Sequence, residues 1–151
     1  MQIREERENK RRHLALLLLA DESMEMVEKY LDRGVMYVLE EEGQVKAECV
    51  VTDEGGGVLE IKNLAVAPDC QRQGLGRRFI EFLALEYAST HEAILVGTGD
   101  SPLTVPFYER CGFVRSHVVK DFFIDNYDHP IIEAGVELRD MVYLRRALRS
   151  G

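Results

Sequence analysis

The sequence predicts an α/β protein whose mixed, mostly antiparallel twisted sheet is flanked by helices. Apolar runs between residues 35 and 66 are separated by glycine-containing turns, as in consecutive antiparallel strands. After Pro68 the apolar period becomes helical and then returns to strands, which is typical of a β-α-β crossover. One core accommodates 151 residues, so we expect a single domain over residues 1–151.

The first elements are an early strand and an apolar segment, Leu14–Ala20, that is either helical or irregular. Its seven residues fall short of the roughly 20 that cross a bilayer. It follows basic residues as in a signal peptide, but no small-residue cleavage site follows it. We expect neither a membrane anchor nor a leader here.

A helix is predicted next, over Glu22–Arg33, with Asp21 as its N-cap and Gly34 in the left-handed position after its last turn. Three strands follow, over Val35–Leu39, Val45–Thr52 and Val58–Val66. The third is apolar on both faces near its end, so it should be a central strand.

The second half is predicted to alternate helices and strands, with a long acidic connection. The predicted elements are a helix over Gly74–Ala88, a strand over Ala93–Val96, a short helix ending at Cys111, and strands over Phe113–Ile124 and Leu138–Leu144. Because Pro106 would break a helix interior, the short helix starts either after Ser101 or only near Val105.

The segment from Gln71 to Arg78 carries the clearest chemical signal. Two glycines stand where the long helix begins, so free backbone N–H groups and the positive helix end converge there. Arg72, Arg77 and Arg78 add positive charge to a chain whose net charge is −8. We expect a diphosphate site; the alternative is that the glycines only relieve a tight turn.

Two other phosphate-binding motifs do not fit this segment. A P-loop needs a Gly-Lys pair, which the chain lacks. A Rossmann fingerprint needs a third small residue where Phe79 stands, and it should follow the first strand.

What remains is the pattern Q/R-x-x-G-x-G/A, which Gln71-Arg72-Gln73-Gly74-Leu75-Gly76 matches after the strand end Leu64-Ala65-Val66-Ala67-Pro68. This resembles the acetyl-CoA motif of the GNAT N-acetyltransferases. A second hallmark, a Tyr on the last short helix before a Gly-Phe, is similar to Phe107-Tyr108-Glu109-Arg110-Cys111-Gly112-Phe113. Similarity in Asp121-Phe122-Phe123, Asn126-Tyr127 and Leu138-Arg139-Asp140-Met141 extends to a small bacterial branch labelled indole-acetic-acid acetyltransferase-like.

The resemblance implies the acyl-CoA N-acyltransferase fold and a cosubstrate, acetyl-CoA, held by two stretches of chain. The strand residues Leu64, Ala65 and Val66 would hold the pantetheine arm through their backbone. The loop residues Gln71, Arg72, Gln73, Gly74, Leu75, Gly76 and Arg77 would hold the pyrophosphate. Where the family often has an Asn at the start of the last helix, this chain has Asp100 and Ser101, so that contact is not carried over.

Two catalytic residues are implied for acetyl transfer to a primary amine. Tyr108 would donate a proton to the departing CoA thiolate; the alternative is a Tyr that only packs. Glu60, four residues before Leu64, would be the base that deprotonates the amine. A structural ion pair with Lys62 is the alternative for Glu60, and a water relay is the alternative for the base.

The predicted function is direct acetyl transfer in a ternary complex, with a CoA-binding sensor or regulatory module without catalysis, or a protein lysine or N-terminal acetyltransferase, as alternatives. The net charge disfavours nucleic-acid and membrane partners and favours a cationic amine, small or protein-borne, bound by Glu60 or by the acidic series Asp121, Asp125 and Asp128. Scattered cysteines and histidines predict no metal site and fit a reducing cytoplasm. We expect a monomer or a homodimer.

Overall fold

The computed structural model describes residues 1–148, which form a sheet with helices on both faces. The strands are β1 (Gln2–Glu5), β2 (Val35–Glu41), β3 (Gln44–Gly55), β4 (Val58–Val66), β5 (Ala93–Gly99), β6 (Val114–Val119), β7 (Ile132–Glu133), β8 (Val136–Glu137) and β9 (Met141–Ala147). The helices are α1 (Leu14–Ala20), α2 (Met24–Glu28), α3 (Leu75–Tyr87), α4 (Val105–Arg110) and α5 (Phe122–Asn126), with 3₁₀ turns at Lys10–His13 and Pro68–Cys70.

The main sheet has seven strands in the order β1-β2-β3-β4-β5-β9-β6. Every neighbouring pair is antiparallel except β4 and β5, which run parallel and are joined through α3. β4 lies in the centre, as its two-sided apolar pattern predicts, and β7 and β8 form a separate small hairpin. The predicted mixed, mostly antiparallel α/β class is confirmed.

The sheet buries a different cluster on each face. Phe79, Ile80 and Leu83 of α3 are fully buried against one face. On the other face, Leu17 of α1 and Val27 of α2 cover the sheet. The apolar stripes read from the sequence therefore face a core on both sides, and β4 is enclosed between them.

The helix expected over Glu22–Arg33 is shorter than predicted, and its cap is a different residue. α2 covers only Met24–Glu28, and Ser23 caps it by accepting a hydrogen bond from the amide of Met26 at 3.2 Å. Lys10 Nζ bonds the carbonyl oxygens of Leu31 and Gly34 at 2.8 and 2.6 Å, which supports a turn rather than another helical turn.

Gly34 is not in the left-handed region, contrary to expectation. A Cβ at this position would lie 2.8 Å from Cγ1 of Val50. The glycine is needed because the chain passes close to β3, and only the absence of a side chain permits that approach.

The strand predicted over Phe113–Ile124 is also wrong in its second half. β6 ends at Val119, Asp121 adopts a left-handed conformation with φ of 57°, and α5 begins at Phe122. The amide of Asp121 donates to Oδ1 of Asp140 at 2.8 Å, which holds this turn. Phe122 and Phe123 are apolar because they pack in a small cluster with Ile131 and Leu138, not because they continue a strand.

The remaining elements agree with the sequence predictions within a few residues. Leu14–Ala20 is helical, and the short helix begins at Val105, with Pro106 in its first turn where a missing N–H costs nothing. Within residues 1–148, no helix combines the length and apolar character needed to cross a membrane.

Candidate active site

β4 and β5 separate halfway along their length. Their parallel pairing runs from Val58 opposite Ala93 to Ile61 opposite Val96 and then stops, although both strands continue. Beyond that point β4 pairs only with β3, and β5 pairs only with β9. The gap between the two strands exposes backbone in the middle of the sheet.

Backbone groups of β4 point into this gap. The amide of Ala67 donates to the carbonyl of Lys46 on the β3 side at 2.8 Å. The backbone N–H and C=O groups of successive strand residues point to opposite edges of the strand. Those of Val66 and Leu64 are therefore directed away from β3. The side-chain amide of Gln71 donates to the Val66 carbonyl at 3.1 Å from that other side.

The loop after β4 leads into the N-terminus of α3 and leaves amides free. Gly74 is the N-cap with φ of 79°, and Arg72 is also left-handed at 65°. The first helical hydrogen bond runs from Arg78 to Gly74, so the amides of Leu75, Gly76 and Arg77 have no partner within the helix. Free amides, a helix end and exposed arginines fit a diphosphate group.

A cavity of about 380 Å³ occupies the gap between β4 and β5. It reaches from the β4 backbone at Leu64–Val66 and from Gln71 to Tyr108, and then to the segment between α5 and β9. Gln71 at the start of the loop, the separated strands and Tyr108 thus meet at one place.

Tyr108 lies on α4 and is 8% exposed. Its ring packs edge-on against Phe107 and Phe113, with centroids 5.0 and 5.5 Å away. Burial raises the pKa of the Tyr108 hydroxyl, so the group keeps its proton and remains a donor at neutral pH.

Glu60 is buried on β4, but its carboxylate is engaged. Its Oε2 lies 2.8 Å from Nζ of Lys62, the ion pair weighed in the sequence as the alternative to a catalytic base. Lys62 lines the cavity and Glu60 is not among the lining residues. A catalytic role for Glu60 stays a prediction.

The acidic residues at the cavity are not those of the predicted series. Asp121 pairs with Arg139 at 3.4 Å and Asp128 with His129 at 2.6 Å, and the cavity lining includes none of the series. The carboxylates that do line it are those of Asp21, Glu22 and Glu133.

Asp21 was interpreted in the sequence only as a helix cap. In the structure its Oδ1 accepts from the Tyr127 hydroxyl at 2.8 Å, and its Oδ2 accepts from the Tyr30 hydroxyl at 3.4 Å. Burial raises the pKa of the Asp21 carboxyl, an effect that these hydrogen bonds oppose. No local pattern signals this role, because Asp21 and Tyr127 are 106 positions apart.

Comparison with known proteins decides the family. The model described as an acetyltransferase (GNAT) domain matches residues 32–115, which include β4, the loop and Tyr108. The chain belongs to the GNAT family. The resemblance inferred from the two motifs is therefore confirmed.

Individual GNAT relatives are similar over nearly the whole chain. An uncharacterised N-acetyltransferase of Bacillus subtilis, YvbK, is 36% identical over 132 residues, covering 85% of this chain and 84% of YvbK. A GNAT acetyltransferase from Elizabethkingia anophelis, solved with acetyl-CoA bound, is 32% identical, covers 97% of both chains and superposes with a TM-score of 0.91. An IAA acetyltransferase from Bacillus cereus is 32% identical with a TM-score of 0.87, covering 97% of this chain and 99% of its own.

The GNAT fold, N-acetyltransferase activity and acetyl-CoA as cosubstrate are thereby shown for this chain. Acetyl-CoA supplies an activated acetyl thioester. Positions 64–66 and 71–77, which the motif implies for this GNAT cosubstrate, border the gap and the α3 N-terminus.

Proposed function

We propose that the protein transfers the acetyl group of acetyl-CoA directly to the primary amino group of a small cationic molecule, in a ternary complex. The observation that carries this proposal is the charge of the cavity. Three carboxylates line it, whereas Lys62, its one lysine or arginine among residues 1–148, is paired with Glu60. An ammonium ion is the natural guest of such a surface.

A small acceptor is favoured over a protein acceptor by the size of the cavity. About 380 Å³ must contain both the acetylated end of the cosubstrate and the acceptor. That space suits a compact molecule. The three cysteines are unpaired and buried, which agrees with action in a reducing cytoplasm. We propose further that the protein acts as one domain over residues 1–151 and as a monomer or homodimer.

Three proton transfers complete the proposed reaction. The bound ammonium loses one proton, its nitrogen bonds the acetyl carbon, and the carbon–sulfur bond breaks. The Tyr108 hydroxyl protonates the departing thiolate, and the second proton lost by the nitrogen returns to the Tyr108 oxygen. Because Lys62 holds Glu60 away from the cavity lining, a water relay from the amine is favoured over direct transfer to Glu60. No covalent enzyme intermediate is needed.

Acetyl transfer by Tyr108→Phe tests this function. The variant should lose roughly 10²-fold or more in kcat, because a positioned proton donor contributes that much. CoA affinity measured by calorimetry should stay within a factor of two, since the ring is retained. Transfer is measured with labelled acetyl-CoA and a panel of small primary amines.

Tyr87→Phe is the matched control. The Tyr87 hydroxyl bonds that of Tyr37 at 2.7 Å, and neither residue lines the cavity, so its loss should leave kcat unchanged. A wild-type rate for Tyr108→Phe would remove Tyr108 as the acid. Tight CoA binding with no transfer to any amine would favour a sensor, and labelled protein bands from a lysate would favour a protein modifier.

A further inference from the structure

One wall of the cavity carries a hydrogen-bond network that ends on the Asp21 carboxylate and points to a donor-rich ligand. Asp21 and Asn63 both line the cavity. Asn63 is 3% exposed, and its Oδ1 has no hydrogen-bond partner among residues 1–148. A buried polar atom without a partner is costly, so its retention beside the reaction site calls for an explanation.

The orientation of the Asn63 amide is fixed by its two donors. Nδ2 donates to the carbonyl of Leu17 and to the Tyr30 hydroxyl, both at 3.0 Å. The Tyr30 hydroxyl donates onward to Asp21. Both N–H groups are thus used, and the oxygen is enclosed by protein, so this side chain fixes the Tyr30 hydroxyl rather than meeting a ligand itself.

The Asp21 carboxylate is held by donors but not neutralised. It receives the hydroxyls of Tyr127 and Tyr30 and the amide of Ser23 at 3.3 Å. All three of these donors are neutral groups, and among residues 1–148 Asp21 forms no ion pair. Its negative charge is therefore uncompensated, and a carboxylate has about four acceptor sites, more than these three donors fill.

The part of the cavity that is built from α5 and the segment leading to β9 is largely apolar, and Glu133 is its one charged lining residue. Phe123, Ile131, Leu138 and Met141 line the cavity and pack together; we call these four residues the apolar shelf. A Cβ on Gly99 would lie 2.6 Å from Cδ1 of Leu138, so the bare glycine is what lets the shelf approach β5. The cavity thus pairs an anionic acceptor wall with an apolar one.

We propose that Asp21 binds the ammonium group of the acceptor, that Tyr127 and Tyr30 position the Asp21 carboxylate, and that the apolar shelf takes the body of the molecule. This inference rests on the proposed function and names its substrate class: a small primary monoamine with an apolar body. Asn63 directly precedes Leu64 on β4 and fixes Tyr30, so this hydrogen-bond chain connects the Asp21 carboxylate to the strand that borders the proposed thioester site.

The decisive variant is Asp21→Asn, assayed with 2-phenylethylamine as the probe. A hydrogen-bonded charge pair is lost, so the KM for the amine should rise about tenfold or more, while the KM for acetyl-CoA stays within about twofold. Tyr127→Phe, which leaves the charge but frees the carboxylate, should raise the amine KM by a smaller factor. Melting curves for each variant establish that the protein is folded.

Glu22→Gln is the matched control. It removes a neighbouring carboxylate that lies at the cavity but is half exposed and already bound to His129 at 2.8 Å. If Glu22→Gln and Asp21→Asn raise the amine KM equally, the amine is attracted by the overall negative charge of the cavity and not bound at Asp21, which would overturn the proposal. A kcat/KM for spermidine above that for 2-phenylethylamine would overturn the apolar-bodied monoamine.

A binding measurement separates this inference from the proposed function. In the wild-type CoA complex, 2-phenylethylamine should bind about tenfold or more tightly than its neutral analogue 2-phenylethanol, and in Asp21→Asn that preference should disappear. This result would support the ammonium site even if no amine were acetylated. An equal preference for 2-phenylethylamine over 2-phenylethanol in the wild type and in Asp21→Asn would reject the ammonium site even if acetyl transfer occurred.

Discussion

Glu60 and Lys62 are two oppositely charged side chains on the central strand β4. They form an ion pair of 2.8 Å, and only Lys62 reaches the cavity lining. From the sequence, Glu60 was open to two interpretations, a catalytic base or a structural ion pair with Lys62. The sequence does not distinguish them, because the answer depends on where the gap between β4 and β5 opens.

Glu60→Gln should leave the acidic limb of the kcat/KM profile against pH in place. The expected reason is that a water relay, not the Glu60 carboxylate, takes the proton of the amine. Loss of that limb in Glu60→Gln, with Lys62→Met retaining it, would instead establish Glu60 as the base. The Lys62→Met variant controls for breakage of the ion pair itself.

At the scale of elements, the start of α3 combines a phosphate-type loop with close packing against α4. A Cβ on Gly76 would lie 3.0 Å from Cζ of Phe107. Phe107 precedes Tyr108, so a side chain at position 76 disturbs both the loop amides and the helix that carries the proposed acid. The motif glycine is thus required by packing as well as by ligand approach.

Gly76→Val should weaken CoA binding about tenfold or more, with Gly76→Ala intermediate, because added atoms force Phe107 or the loop to move. Calorimetry with CoA is the measurement. Leu85→Val is a control on the same helix at a position that is 83% exposed, and it should bind CoA like the wild type. Unchanged affinity in Gly76→Val would remove the loop from the CoA site.

The elements that the sequence predicted well are those in which apolar residues recur regularly over a long, uninterrupted stretch. β4 was predicted with its observed bounds, and α3 within one residue at each end. The predictions that failed lie where tertiary contacts decide the conformation. The turn at Asp121 depends on Asp140, and the glycine at position 34 depends on Val50, neither of which is near in sequence.

At the scale of the whole molecule, Glu48 is a cost to the stability of the fold. It is fully buried on β3, and neither carboxyl oxygen has a hydrogen-bond partner of good geometry among residues 1–148. Burial raises the pKa of its carboxyl well above the ordinary value of 4.5, and the nearby backbone of Ala65 opposes this effect only in part. Between the ordinary pKa of the unfolded chain and the raised pKa of the folded protein, the folded protein binds more protons than the unfolded chain. The free energy of unfolding therefore falls as pH rises through this range.

Glu48→Gln should remove this part of the pH dependence. The free energy of unfolding of the wild type should decline more than that of the variant between about pH 5 and pH 8, by roughly 1.4 kcal/mol for each unit of raised pKa within that range. Urea titrations at several pH values measure the difference. Glu137→Gln, at an exposed site, should match the wild type, and parallel profiles for Glu48→Gln would contradict the assignment.

The proposed cosubstrate half and the proposed acceptor half of the active site differ in how their residues are distributed along the sequence. The cosubstrate half is one contiguous stretch from β4 through α4, so a motif could reveal it. The proposed acceptor half joins residues 21–22 to residues 127–129, through contacts that no local pattern encodes. The sequence therefore predicted the cosubstrate and the family, while amine binding by Glu60 or by the series Asp121, Asp125 and Asp128 stays a prediction; the carboxylates that line the cavity are those of Asp21, Glu22 and Glu133.

The contacts of Asp21 with Tyr127 and of Glu22 with His129 are the only direct hydrogen bonds from that turn to the α5–β7 connection among the described residues. Neither connection belongs to the stretch that carries the cosubstrate motif. A replacement of residues 122–138 would have to keep these two hydrogen bonds, the bond from the Phe123 amide to the Arg139 carbonyl, and the packing of Leu138 against Gly99. It would leave the cosubstrate motif untouched, so the proposed acceptor specificity is separable in the chain from the chemistry of acetyl transfer.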